Sequence, residues 1–194
     1  VEYAGNSRSL ERFAAASKNV VICKSMSKVY ALSGARCAYL CGPAHMMDEL
    51  RAISPPWSVS LPGQIAACEA LRSTSYYEKR WEETHALRGQ LAAGLAALGW
   101  DVVPGCANFL LCHLPPDQPA AAGLVAECRR RGLFIRDVAN MGSCFDARTV
   151  RVAVKDRETN QEILERLRVT LMEMAGGDST FDGMTFSPAP RIGR

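Results

Sequence analysis

Two short apolar runs, residues 20–23 (Val-Val-Ile-Cys) and 37–41 (Cys-Ala-Tyr-Leu-Cys), bracket a polar segment rich in serine and ending in Gly34 and Arg36. This arrangement limits the fold more than any other feature of the chain. Ser17-Lys18-Asn19 precedes the first run and Gly42-Pro43 comes after the second. Apolar stretches of this length between turn residues have the pattern of strands buried on both faces of a parallel sheet. Residues 24–36 are too polar for a core and read as a loop at a strand end, which is where open α/β sheets bind ligands.

The rest of the chain alternates in the same sense. The apolar spacing of residues 45–53 is helical, and Ser54-Pro55-Pro56 stops it because proline lacks an N–H and restricts its predecessor. After Pro62-Gly63 a helix is expected over 64–72. A longer one is expected from Ser75, paired with Glu78 as a capping box, to Gly99, which supplies a left-handed residue. Strands are predicted over 100–103, 108–113, 133–138 and 149–154, and helices over 120–131 and 160–174, the last with a Thr159/Glu162 capping box. The fold class is therefore α/β. The segment 176–194 has no periodicity and is expected to be disordered. At roughly 150 residues per domain, 194 residues allow one domain or parts of two.

Composition narrows the partners. With 23 Lys+Arg against 20 Asp+Glu the net charge is +3, too small for a nucleic-acid or anionic-membrane footprint. No apolar stretch approaches the roughly 20 residues of a bilayer span. The eight cysteines are scattered singly, without a C-x-x-C pair or histidine at ligand spacing, so no metal site is expected and the thiols read as reduced and cytoplasmic. His45, His85 and His113 have no partner that spacing nominates.

Within the polar loop stands Ser25-Met26-Ser27-Lys28, followed by Gly34 and Arg36: S-x-S-K-x5-G-x-R. At average residue usage the chance of that frame in this chain is roughly one in several thousand. A lysine at the mouth of a buried sheet would be partly desolvated, which makes its amine available for imine formation. The Ser25 and Ser27 hydroxyls and the Arg36 guanidinium suit an ester phosphate, and Gly34 lets the backbone turn between them. The alternative is that Lys24 and Lys28 are ordinary solvent-facing lysines. Arg136 and Arg151 each interrupt an apolar strand pattern, so each needs an anion or a salt bridge, for which Asp137 and Asp156 are available. Arg129-Arg130-Arg131 reads as a solvated helix end.

On these residues the chain resembles the fold-type I pyridoxal-phosphate (PLP) enzymes of the class I/II aminotransferase superfamily. The resemblance runs from residue 1 to about 175 and is nearest to histidinol-phosphate aminotransferases and threonine-phosphate decarboxylases. It implies that Lys28 forms the Schiff base with PLP. It further implies that Arg136 and Arg151 hold a substrate carboxylate or phosphate, and that Asn108, in Asn108-Phe109-Leu110-Leu111, faces substrate or makes a strand-end hydrogen bond. A homodimer with sites built from two subunits is implied as well. Residues 1–70 are then the end of a large PLP-binding domain and 71–175 a small C-terminal α/β domain. The family's Gly-rich phosphate loop, ring-stacking aromatic, Asn, pyridine-binding Asp and ring-hydroxyl Tyr all precede the lysine segment, and residues 1–5 resemble the stretch immediately after a D-E-A-Y strand end. The chain is thus expected to be the C-terminal part of a longer enzyme, inactive alone. Lys155-Asp156 stands where aminotransferases of this group more often have a small residue and Gly, which leaves transamination and phosphothreonine decarboxylation both open. Other readings are a non-catalytic binding module and a phosphate-binding α/β domain without imine chemistry; the latter lacks a G-x-x-x-x-G-K-[ST] loop.

Overall fold

The computed structural model describes residues 2–5 and 9–176; the expectation for the tail falls almost wholly outside them. After a single 3₁₀ turn at Glu2–Ala4, the order is α1 Glu11–Ala16, β1 Ile22–Ser25, β2 Ala38–Cys41, α2 Ala44–Ile53, α3 Leu61–Arg72 and α4 Thr74–Ala96. Then come β3 Asp101–Val102, β4 Phe109–His113, α5 Ala121–Arg130, β5 Arg136–Asp137, β6 Thr149–Ala153 and α6 Arg157–Ala175. The α/β class stands. No helix among the described residues is long and apolar enough to cross a membrane.

The first pair of strands departs from expectation. β1 and β2 pair antiparallel, Ile22 opposite Cys41 and Ser25 opposite Ala38, and each alternates between half-buried and exposed positions instead of being covered on both faces. Parallel pairing needs a crossover of about a dozen residues or more, usually helical. Residues 26–37 instead fold into consecutive turns: Ala31 N–H donates to Lys28 O, Leu32 N–H to Met26 O and Ala35 N–H to Leu32 O. Lys24 and Ser25 belong to β1, not to the loop.

Helix starts also differ. Ser60 caps α3, its Oγ accepting from Gly63 N–H, so Pro62 lies in the first turn, where its missing N–H is no loss. Ser75 lies inside α4, whose N-cap is Ser73, so the Ser75/Glu78 box does not form. Asp156, not Thr159, caps α6, accepting from both the backbone N–H and the hydroxyl of Thr159. Gly99 does adopt a left-handed φ of 85° past the end of α4.

The second sheet has the order β3-β4-β6-β5 with every pairing antiparallel. Leu110, Cys112, Val150 and Val152 face α4, α5 and α6 and form the main core with Leu91, Leu95, Leu124, Cys128, Ile163 and Leu167. Burial pushes the Cys112 thiol up to about 12, as expected of an inert core cysteine. A separate cluster of Met26, Tyr30, Cys37, Ala70 and Trp81 backs the first sheet. α4 therefore ties the two together, Tyr77 and Trp81 packing on one cluster and Leu91 and Leu95 in the other.

Candidate active site

Met26 is fully buried and pins the start of the loop, its N–H donating to Cys37 O at 3.2 Å. Ser25 and Ser27, on either side of it, therefore point away from the core and bring their hydroxyls within 2.8 Å of each other. Because Ser25 pairs with Ala38, Arg36 returns to the same end of the hairpin. Trp81 Nε1–H donates to Val29 O at 3.0 Å and the Tyr77 hydroxyl to Tyr30 O at 3.4 Å, so α4 holds the backbone that comes after Lys28. The turns use left-handed φ at Ala31 (55°) and Arg36 (50°), a conformation disfavoured for residues with a Cβ and concentrated at functional sites. Gly34 was expected to supply that freedom and does not.

Lys28 is exposed, as are Ser25 and Arg36. The burial expected of Lys28 is thus not found among the described residues. Arg36 donates to Ser33 O at 3.3 Å within its own turn. Among the described residues neither cation makes an ion pair. The two serine hydroxyls, a guanidinium and an amine at one strand end form a donor set that fits a phosphate ester joined to a carbonyl.

Lys24 is different. Its ammonium lies 2.6 Å from Glu2 and 3.1 Å from Glu11, and Glu11 also accepts from the Ser9 and Tyr39 hydroxyls. The motif spacing singles out Lys28, and the tertiary contacts agree with it: they commit Lys24 to an ion-pair network and leave Lys28 without an ion pair among the described residues. Burial by itself would raise the Glu11 carboxyl, but the hydrogen bonds from Ser9, Tyr39 and Lys24 outweigh it and hold the group at about 2, against an ordinary 4.5. A carboxyl depressed in the folded state stabilises above its unfolded pKa and loses that contribution as pH falls through the folded one. We expect stability to fall between about pH 4.5 and pH 2 by about 1–2 kcal/mol from this group, after discounting for its partial exposure. Urea titrations of Glu11→Gln across that window should show a shallower decline, the remainder coming from Glu2, Glu127, Asp146 and Asp156, which are also held below their ordinary values.

Arg136 and Arg151 occupy directly opposed positions on β5 and β6. Neither incurs the expected penalty of a charge in the core, since β6 alternates and turns Arg151 to the face opposite Val150 and Val152, while Arg136 is exposed. The anticipated salt bridges do not form: Asp137 accepts from Ala139 N–H, and Asp156 caps α6. Like charges facing each other across strands are destabilising. The Arg151 guanidinium lies 5.0 Å above the Phe109 ring, and among the described residues neither arginine has a carboxylate partner. Both arginines therefore lack a counter-ion among the described residues. Asn108 O accepts from Val154 N–H at 3.0 Å through the backbone alone; its side-chain amide makes no hydrogen bond among the described residues, so the strand-end bond anticipated of that side chain does not form.

The cofactor-type cluster and the arginine pair sit on different sheets. Sequence reading missed Arg88, although its place on the Trp81, Leu91, Leu95 stripe of α4 marks a charge on a buried face. It also missed the Lys24 network, which joins residues far apart in the chain.

Histidinol-phosphate aminotransferase from Rhodopseudomonas palustris (strain TIE-1) is 34% identical to this chain over 152 residues, 78% of the chain and 41% of that relative. Among solved structures, the histidinol-phosphate aminotransferase from Clostridium acetobutylicum superposes with a TM-score of 0.78 at 24% identity over 88% of this chain and 51% of its own. The L-threonine-O-3-phosphate decarboxylase from Porphyromonas gingivalis does so with a TM-score of 0.66, also at 24% identity, over 84% and 50%. The chain spans about two fifths of the length of the curated relatives it matches. The profile of the aminotransferase class I and II family matches residues 3–167, nearly the whole described fold, and the chain belongs to that family.

Proposed function

We propose that the protein is a PLP-dependent aminotransferase acting on an amino acid or amino phosphate. The observation that carries this reading is the contrast between the two lysines: Lys24 is neutralised by Glu2 and Glu11, whereas Lys28 stands unpaired among the described residues, in the turns that carry Ser27 and Arg36 and that follow Ser25 at the end of β1. Ser25, Ser27 and Arg36 would hold the cofactor's phosphate and Lys28 its carbonyl carbon. The bound cofactor supplies an electron sink for charge developing at the substrate's α-carbon. Lys28 Nζ then accepts and returns the α-proton, as general base and acid. Arg136 and Arg151 orient the substrate through its carboxylate or phosphate, with the Asn108 amide as a further polar contact. Residues 1–70 would belong to the cofactor-binding domain and 71–175 form the small domain.

Lys155-Asp156 does not argue for decarboxylation. The Asn160 side chain bonds both the N–H and the C=O of Lys155, and Asp156 caps α6, so the departure serves the start of a helix. A homodimer is supported by the apolar side chains left uncovered around α2 and α3, Ile53, Trp57, Leu61 and Ile65, with Trp57 91% exposed. A cytoplasmic location is supported by eight cysteines that all remain free thiols.

The test is an assay of the full-length protein with PLP for transfer from histidinol phosphate to 2-oxoglutarate, in parallel with carbon dioxide release from phosphothreonine. Amino transfer is expected. Carbon dioxide release would move the reading to the decarboxylase, and cofactor binding without either reaction would overturn amino transfer.

A further inference from the structure

We infer that Arg88 is a positioning residue that sets the substrate end of the site by clamping the tip of the β3–β4 hairpin. The inference rests on the aminotransferase reading above. Arg88 projects from α4 and is only 8% exposed. Its Nε–H donates to Gly105 O at 2.7 Å and its Nη1–H to Phe109 O at 2.9 Å. Among the described residues it has no carboxylate partner. A buried guanidinium held only by carbonyls costs more than an apolar side chain filling the same space.

The segment held by the clamp is informative. Residues 105–109 close the hairpin and include Asn108, whose amide is uncommitted, and Phe109, whose ring lies under the Arg151 guanidinium. On its other side Asn108 O is tied to Val154 N–H, just beyond β6. The tip is therefore fixed from α4 by Arg88 and from the sheet by Val154, and the Phe109 ring carries that constraint to Arg151. Gly105 gives a second observation. A Cβ built there would lie 3.2 Å from Arg88 Nη2, so an added methyl would press the guanidinium back by a few tenths of an ångström. Displacing groups that bind the substrate in the ground state and the transition state alike raises KM more than it lowers kcat.

The experiment compares Arg88→Met, Arg88→Lys and Gly105→Ala with the parent in the full-length holoenzyme, reading cofactor loading by absorbance and kcat and KM separately. Arg88→Met is expected to load PLP normally and to raise the substrate KM roughly ten-fold or more, with a smaller effect on kcat. Arg88→Lys, which can reach one carbonyl but not both, should recover part of that loss, and Gly105→Ala should raise KM a few-fold with the charge intact. A folded, loaded Arg88→Met enzyme with parental KM overturns the inference. Should that variant fail to fold, Gly105→Ala decides: a raised KM supports the clamp and a parental KM overturns it. A parent enzyme without turnover overturns the aminotransferase reading and this inference together, which separates that failure from one confined to Arg88.

Discussion

Lys28→Ala in the full-length protein should lower turnover by roughly 10³-fold or more, because under the proposed assignment it removes both the amine that would hold the cofactor and the general base that would move the α-proton, the latter alone being worth about 10²–10⁴. Borohydride reduction in the presence of PLP should fix the cofactor to the parent at the peptide containing Lys28, and to no peptide of the variant. The fold should be unaffected, since the side chain is exposed and contributes no ion pair among the described residues. Lys24→Ala makes the comparison sharp. It leaves Glu2 and Glu11 facing each other without their shared cation, so it should lower stability while the labelled peptide remains the Lys28 one. A label that moves to Lys24, or a Lys28→Ala enzyme with parental turnover, would refute the assignment.

Arg151→Met should reduce kcat/KM roughly 10²-fold, the scale of losing one partner of a charge-assisted, partly desolvated contact. Most of the change is expected in KM. Inorganic phosphate should inhibit the parent competitively against substrate and inhibit the variant much less. Stability is expected to hold or rise slightly, because removing one of two directly opposed arginines relieves a like-charge contact while Met still covers the Phe109 ring. A structural arginine would behave in the opposite way, losing stability and sparing kcat/KM. Arg136→Met should show the same direction with a smaller effect, Arg136 being the more exposed of the two.

Much of the fold is legible in the residues alone. Helices α2, α5 and α6, strands β4 and β6, and the left-handed Gly99 arise from periodicity and turn chemistry, which act within a few residues. The segment with Ser25 at the end of β1 and Ser27, Lys28 and Arg36 in the turns beyond it is legible because the chemistry it suggests needs those groups close along the chain. Errors arise where a local signal has a near-equal competitor. Thr159 and Asp156 are both cap residues, and Asp156 prevails by reaching the Thr159 N–H with one oxygen and the hydroxyl with the other. At α4 the helix starts at Thr74, after Ser73, which makes no side-chain cap bond.

The sequence by itself determined the α/β class, the motif and the family resemblance, since each is written in residue types at short spacing. Tertiary structure alone decided that Glu2 and Glu11 hold Lys24, that Arg136 faces Arg151 and not Asp137 or Asp156, that β1 and β2 run antiparallel, and that Arg88 spans Gly105 and Phe109. The physical reason is range. Propensities, caps and turns are set by neighbours along the chain, whereas ion pairs and strand register depend on which distant segments the two hydrophobic clusters bring together.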